Sequence, residues 1–191
     1  LASLMKVDES YRCCCFSGDC FRQDNESGKT SINDISNQLL WSHYSDGLKG
    51  FCIEFNSDII DQFRNIIKSK GMMYIDGWVI YQNKEAEIPL IDIDKCLQTG
   101  KDKKYSYKFV FDMINRRFFS KANAWKYEYE YRIVVPSSES IISYSDNMVK
   151  SVVLGEKMPE ENRRLITKIC NDKGYQLRSA KLHSKQYKLI V

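Results

Sequence analysis

Glu130 and Arg132 stand two residues apart in Trp125–Pro136, "WKYEYEYRIVVP", and give the chain its most reactive-looking stretch. On a strand, side chains two apart share a face, so Glu128, Glu130 and Arg132 would lie together, about 6 to 7 Å between neighbours. Such a carboxylate spacing resembles the acid and base that flank a glycosidic bond, although glycosidases usually draw their carboxylates from different strands. Arg132 could equally neutralise Glu130 in a ladder worth a few tenths of a kcal/mol. The opposite face would carry Tyr127, Tyr129, Tyr131, Ile133 and Val135. Burying it removes far more apolar area than the charges repay at about 25 cal/mol per Å². The tyrosines are therefore expected inside, and the charged residues in a cleft or in water.

A second constellation is Leu40–Phe55, "LWSHYSDGLKGFCIEF". His43 could act as a base or as a donor to a ligand, or simply cap its helix. Ser42 and His43 are adjacent, and on a helix they point about 100° apart, which argues against a Ser-His nucleophile pair. "PLIDIDK", Pro89–Lys95, could supply acids to a metal nuclease, but Asp92 and Asp94 suit a strand end or turn equally well.

These residues must be positioned by ordinary elements. A chain of 191 residues with 43% hydrophobic and 28% charged residues can bury a sizeable core as one domain, 1–191. No run approaches the apolar length of a membrane span, and no signal-peptide pattern opens the chain, so a cytoplasmic protein without membrane contact is expected. Of the seven cysteines, none forms a C-x-x-C pair, and neither His43 nor His183 has zinc-finger spacing from such a pair. Reduced, structural thiols and no metal are expected. Ten Lys/Arg against four Asp/Glu from Lys150 onward make the C-terminal segment basic. Such a segment could attract nucleic acid, but no RNA-binding or helix-turn-helix signature accompanies it.

Strands are expected at Tyr11–Ser17, Phe51–Phe55, Gly77–Tyr81, across the quoted tyrosine run, at Ser151–Gly155, Gln176–Leu182 and Gln186–Val191. Residues 21–31 read as a polar loop. A helix capped by Asn33 or Asp34 should carry Leu40, Trp41 and Tyr44 on one side and end at Gly47. A second, capped by Asn56 or Ser57, has an apolar stripe at Ile59, Ile60, Phe63, Ile66 and Ile67. Asp102–Phe119 should be helical, and a last helix begins at Pro159 and ends at Gly174. The fold class is α+β, with a mixed, mostly antiparallel sheet flanked by helices.

Taken together, "CCCFS", "LWSHYSDGLKGFCIEF", "WVIY", "WKYEYEYRIVV" and "VVLG" resemble a bacterial domain-of-unknown-function family, DUF2971, often found among mobile and defence-associated genes. The correspondence runs through nearly the whole chain. Tyr131 stands where the family typically has tryptophan. The family's tyrosine-rich first strand and Asn-Asp-Pro-Phe turn are not visible, so the chain is expected to lack N-terminal elements. More distantly, a glutamate on a late strand is similar to the catalytic glutamate of DarT-like ADP-ribosyltransferases. That resemblance implies NAD as co-substrate, no metal, and a protein or nucleic-acid target. It makes Glu130 the catalytic residue, stabilising an oxocarbenium-like state. Ser17, Trp41, His43, Tyr44 and Arg132 become cofactor-binding residues, with Arg132 on phosphate and the helix residues sharing a cleft with the strand. The alternative is a non-catalytic module of a defence or toxin system that binds a ligand or partner there.

Overall fold

The computed structural model describes residues 11–18, 34–83, 113, 115–136, 143–186 and 188–191. The expected loop at 21–31, the acidic stretch at 89–95 and most of the expected helix at 102–119 lie outside them. Residues 113 and 115–118, toward that helix's end, are helical. The described residues fall into two compact units: those within Leu1–Ser17 and Tyr74–Ser138, and those within Gly18–Met73 and Glu139–Val191.

The first unit is built on β6 (Glu130–Pro136), which pairs antiparallel with β1 (Tyr11–Ser17) on one side and β3 (Ile75–Trp78) on the other. Cys15 and Gly77 both lie opposite Arg132, and Ser17 lies opposite Glu130. Tyr131, Ile133 and Val135 share one buried face, where the Tyr131 hydroxyl donates to Asp76 (2.7 Å) and its ring meets Trp78 edge-on. The other face of β6 is closed as well, for Val134 is fully buried.

The expected strand Gly77–Tyr81 is broken in two. Val79 donates to the Glu130 carbonyl and Ile80 to that of Phe119. The chain thereby leaves β6 and enters a parallel pair between β4 (Ile80–Gln82) and β5 (Ser120–Ala122).

The tyrosine run departs further from expectation. Residues Asn123–Glu128 form a 3-10 helix, and Tyr129 takes a left-handed conformation (φ 42°, ψ 56°) before β6 begins. For a residue with a Cβ this costs about 1–2 kcal/mol. The alternation of faces is therefore reset at Tyr129. Tyr131 is buried as expected, but Tyr127 and Tyr129 are half-buried. Glu128 and Glu130, expected in a cleft or in water, are only 3% and 7% exposed.

The second unit has the sheet order β2-β7-β8-β9, from β2 (Phe51–Phe55), β7 (Val149–Gly155), β8 (Gln176–Leu182) and β9 (Leu189–Ile190). β2–β7 and β8–β9 are antiparallel and β7–β8 parallel. β7 is central, so both its faces are apolar, as its run of valines requires. Val153 packs with Trp41, Leu48, Ala180 and Leu189, while Val152 and Leu154 pack with Met158 and Cys170.

Three α-helices among the described residues accompany this sheet. α1 (Gln38–Tyr44) starts later than expected because Asn37, rather than Asn33 or Asp34, caps it, its side chain accepting from the Leu39 N–H. Tyr44, expected beside Trp41, is exposed. α2 (Ile59–Ser69) buries Ile59, Ile60, Phe63 and Ile67, but its N-cap is Asp58 rather than Asn56 or Ser57. α3 (Glu160–Lys173) runs from Pro159 to a left-handed Gly174, with Glu160 and Glu161 in its first turn. The final strand is shorter than the expected 186–191. The helices and mixed, mostly antiparallel sheets make the fold α+β.

Candidate functional site

Glu130 is the hub of the first unit's polar residues. Arg132, on the same face of β6, donates from Nε to Glu130 Oε1 and from a terminal nitrogen to Oε2, both at 2.8 Å. Its other terminal nitrogen donates to the Phe118 carbonyl (2.5 Å). Such a fork fixes the carboxylate in plane. Lys121 of β5 lies 3.5 Å from Glu130 Oε2, pairs with Glu128, and sits over the Trp125 ring. The left-handed turn at Tyr129 thus lets both carboxylates meet one ammonium. The Tyr81 hydroxyl accepts from the Glu130 N–H (3.0 Å).

The β1 strand supplies the rest. Ser17 donates its hydroxyl to the Glu128 carbonyl, and Cys15 lies opposite Arg132 with its thiol in hydrogen-bond contact with Cys13. Cys13, Cys15 and Ser17 are exposed on the β1 face that carries these groups. Phe118 packs its ring on Tyr11, 5.3 Å between centroids, and Phe119 lies against Gly77.

The electrostatics follow from these partners. Burial pushes the Glu130 carboxyl up, but the Arg132 hydrogen bonds, the neighbouring Cys15 thiol and the charges of Arg132 and Lys121 outweigh it, holding its pKa below the ordinary value. Glu130 is therefore ionised at neutral pH. Burial pulls Lys121 down, but Glu128 and Glu130 together raise it. Burial also raises the Tyr81 phenol, with Glu130 and Glu128 adding to the rise. A fixed negative charge flanked by cations can stabilise developing positive charge. It cannot serve as a general acid near pH 7.

The structure brings Ser17, Glu130 and Arg132 together, while Trp41, His43 and Tyr44 belong to the second unit. Trp41 is in that unit's core, with its indole N–H donating to the Ile35 carbonyl (2.6 Å), and His43 and Tyr44 are exposed. The five described cysteines, Cys13, Cys14, Cys15, Cys52 and Cys170, are free. Cys170 is the buried apolar thiol expected of all of them; Cys13 and Cys15 are not. Among the described residues no group of three or more His, Cys, Asp or Glu is arranged to hold a metal ion, and no helix is long and apolar enough to cross a membrane.

Sequence reasoning passed over Lys121, Tyr81 and the thiols as members of this cluster. It also passed over Glu54, whose carboxylate in the second unit accepts from Lys150, Ser151 and Arg178. For Lys121 a local signal existed: it stands seven residues before Glu128 and nine before Glu130, a cation near two closely spaced acids.

By fold this is an α+β protein whose polar centre is a clamped glutamate at the start of a central strand. Residues 40–133 match the model of the family described as protein of unknown function (DUF2971). The match runs from the Trp-Ser-His-Tyr element to the Glu-x-Arg strand, a shorter span than the near-complete correspondence expected. No curated protein and no solved structure matches the chain.

Proposed function

We propose that the chain binds a nucleotide-type ligand of the NAD class on the Glu130 side of β6, with Glu130 as the fixed charge that stabilises an oxocarbenium-like ribose during glycosidic cleavage. The observation that carries this reading is the state of Glu130. It is buried, ionised, and held in one orientation by the Arg132 fork beside an exposed strand edge. Preorganised charge of this kind is worth about 10²–10³ in turnover at other sites. Arg132, whose three nitrogens all donate within the unit, acts in this reading by orienting Glu130 rather than by catching a phosphate. Ser17 is a hydroxyl at the rim. Of the helix residues first considered, His43 and Tyr44 are the exposed candidates for ligand contact in the second unit.

A second reading, a ligand- or partner-binding module without turnover, is favoured by the fact that both Glu130 oxygens already face cations, as in a structural ion pair. Calorimetry with NAD and an NAD-consumption assay separate the two. Turnover that Glu130→Gln abolishes while the folded signal persists supports the enzyme. Binding without turnover supports the module. Neither binding nor turnover in folded protein overturns the NAD assignment and leaves partner binding. As an effector of a defence or toxin system, which the family resemblance implies, the enzyme would also lower cellular NAD on expression.

A further inference from the structure

We propose that Cys13 and Cys15 are a redox-active thiol pair, in which a hydroperoxide oxidises Cys13 and Cys15 resolves it as an intrachain disulfide beside Glu130. The two sulfurs lie 3.6 Å apart. Both residues are exposed on β1, an edge strand of the three-stranded sheet, and both sit on the face that carries Arg132. Cys14, between them, points to the opposite face.

The surroundings assign the roles. The hydrogen bond from Cys15 lowers the Cys13 pKa against the opposing effect of burial, and the nearby Arg132 charge helps. Cys15 is pushed strongly up, first by that same bond, then by burial and by Glu130. The Cys14 thiol is pushed up to about 11 by burial. Cys13 is thus the nucleophile, Cys15 its proton-bearing neighbour, and Cys14 an inert internal control.

In the first step the Cys13 thiolate attacks one peroxide oxygen. The O–O bond breaks, the other oxygen leaves and takes a proton as water or alcohol, and Cys13 becomes a sulfenic acid. In the second, the Cys15 sulfur attacks the Cys13 sulfur. The S–O bond breaks, and the hydroxyl leaves with the Cys15 proton as water. The two thiols lose two electrons and the peroxide gains them.

Backbone geometry makes this bond reversible. Residues two apart on a strand have Cα atoms about 6.6–6.8 Å apart, the upper limit of the roughly 4.4–6.8 Å that a disulfide spans. Closure must draw the strand in, which β1, paired among the described residues with β6 alone, can do, and the strained product is readily reduced. Oxidation also removes the Cys15 thiol that helps hold the Glu130 pKa down, so the redox state is felt at the carboxylate.

The test treats the full chain with hydrogen peroxide, alkylates it under denaturing conditions, and maps the tryptic peptide spanning residues 13–22, which contains Cys13, Cys14, Cys15 and Cys20. Expected is loss of alkylation at Cys13 and Cys15 together, reversed by dithiothreitol. Cys15→Ser should leave a Cys13 sulfenic acid that dimedone traps, and Cys13→Ser should slow oxidation of the peptide on the order of tenfold. Serine at these exposed positions should leave the circular dichroism unchanged, which keeps the comparison valid. Full alkylation after peroxide, or a disulfide to Cys14 or Cys20 that survives Cys15→Ser, would overturn the proposal. The readout is independent of NAD, so it stands or falls apart from the reading of Glu130.

Discussion

Replacing Arg132 with methionine isolates what holds Glu130. Methionine keeps the length of the side chain and its packing against β1 and β3, but removes two hydrogen bonds to Glu130 and one to the Phe118 carbonyl. The Glu130 side chain is 9% exposed, and among the described residues Lys121, at 3.5 Å, is the cation left beside it. Breaking a buried ion pair from one side costs about 3–5 kcal/mol. Arg132 is 16% exposed and Lys121 partly compensates, so the low end, about 3 kcal/mol, is expected. For a chain of this length that lowers the melting temperature by about 6–12 °C. The sign with pH follows from the charge left behind. An unpaired buried carboxylate has a raised folded pKa, so the deficit is full at neutral pH and shrinks as pH falls toward the ordinary 4.5. Adding Glu130→Gln should restore part of the loss, because the stranded charge disappears. The assay is thermal unfolding of parent, both single variants and the double variant, at pH 7 and pH 5. An Arg132→Met protein melting within a degree or so of the parent, or a double variant whose loss equals the sum of the singles, would refute the clamp.

Glu130 itself has a depressed folded pKa. Its share of stability is therefore complete above 4.5 and is lost as pH falls below that value; acid titration of Glu130→Gln against the parent should show the smaller loss in the variant. Gly155→Ala places a Cβ 2.0 Å from the Leu48 carbonyl oxygen, so the urea midpoint should fall by the equivalent of about 3 kcal/mol or more, the upper end of overpacking. Gly47→Ala meets no atom within 4 Å but keeps a φ of +64°, and should lose only about 1–2 kcal/mol. Tyr131→Ala empties a buried site between Trp78 and Asp76 and should cost about 3 kcal/mol or more in the same measurement.

Much of the scaffold was legible because its signals are local. β1, β2 and β8 have the expected bounds, and α3 begins after Pro159 and ends at Gly174, where side-chain chemistry and backbone conformation coincide. The stripe of α2 identified its buried face, although Asp58 caps it without a side-chain bond. The site was legible only in part. Glu130 and Arg132 are where alternation placed them, on one face of a strand. The strand's start was not legible, because a left-handed Tyr129 leaves no mark in a period-two pattern. Lys121 and Tyr81 reach Glu130 from other elements, and the exposure of Cys13 and Cys15 depends on β1 lying at a sheet edge. Strand order decides both, and residue types do not encode it.

The Trp-Ser-His-Tyr element shows how a specific-looking motif divides between scaffold and surface. Three consecutive residues, Asp46, Gly47 and Leu48, have positive φ, though two carry side chains. The turn holds because its backbone is saturated. The Trp41 carbonyl accepts from the Ser45 N–H, the Ser45 hydroxyl and the Gly47 N–H, while the Ser45 carbonyl accepts from Lys49 and Gly50. Leu48 is drawn into the core with Trp41, and its carbonyl takes the Lys157 N–H over a Gly155 that has no room for a side chain. Trp41, Ser45, Leu48, Gly50 and Gly155 are thus accounted for by one strained turn docked on β7, with no appeal to a ligand. His43 and Tyr44 are exposed on the same helix. With Ser42 they are the motif's exposed residues, and His43 and Tyr44 are the candidates for ligand contact. A useful dissection therefore substitutes them with alanine: a binding role predicts unchanged melting with altered ligand affinity, and a scaffolding role predicts the reverse.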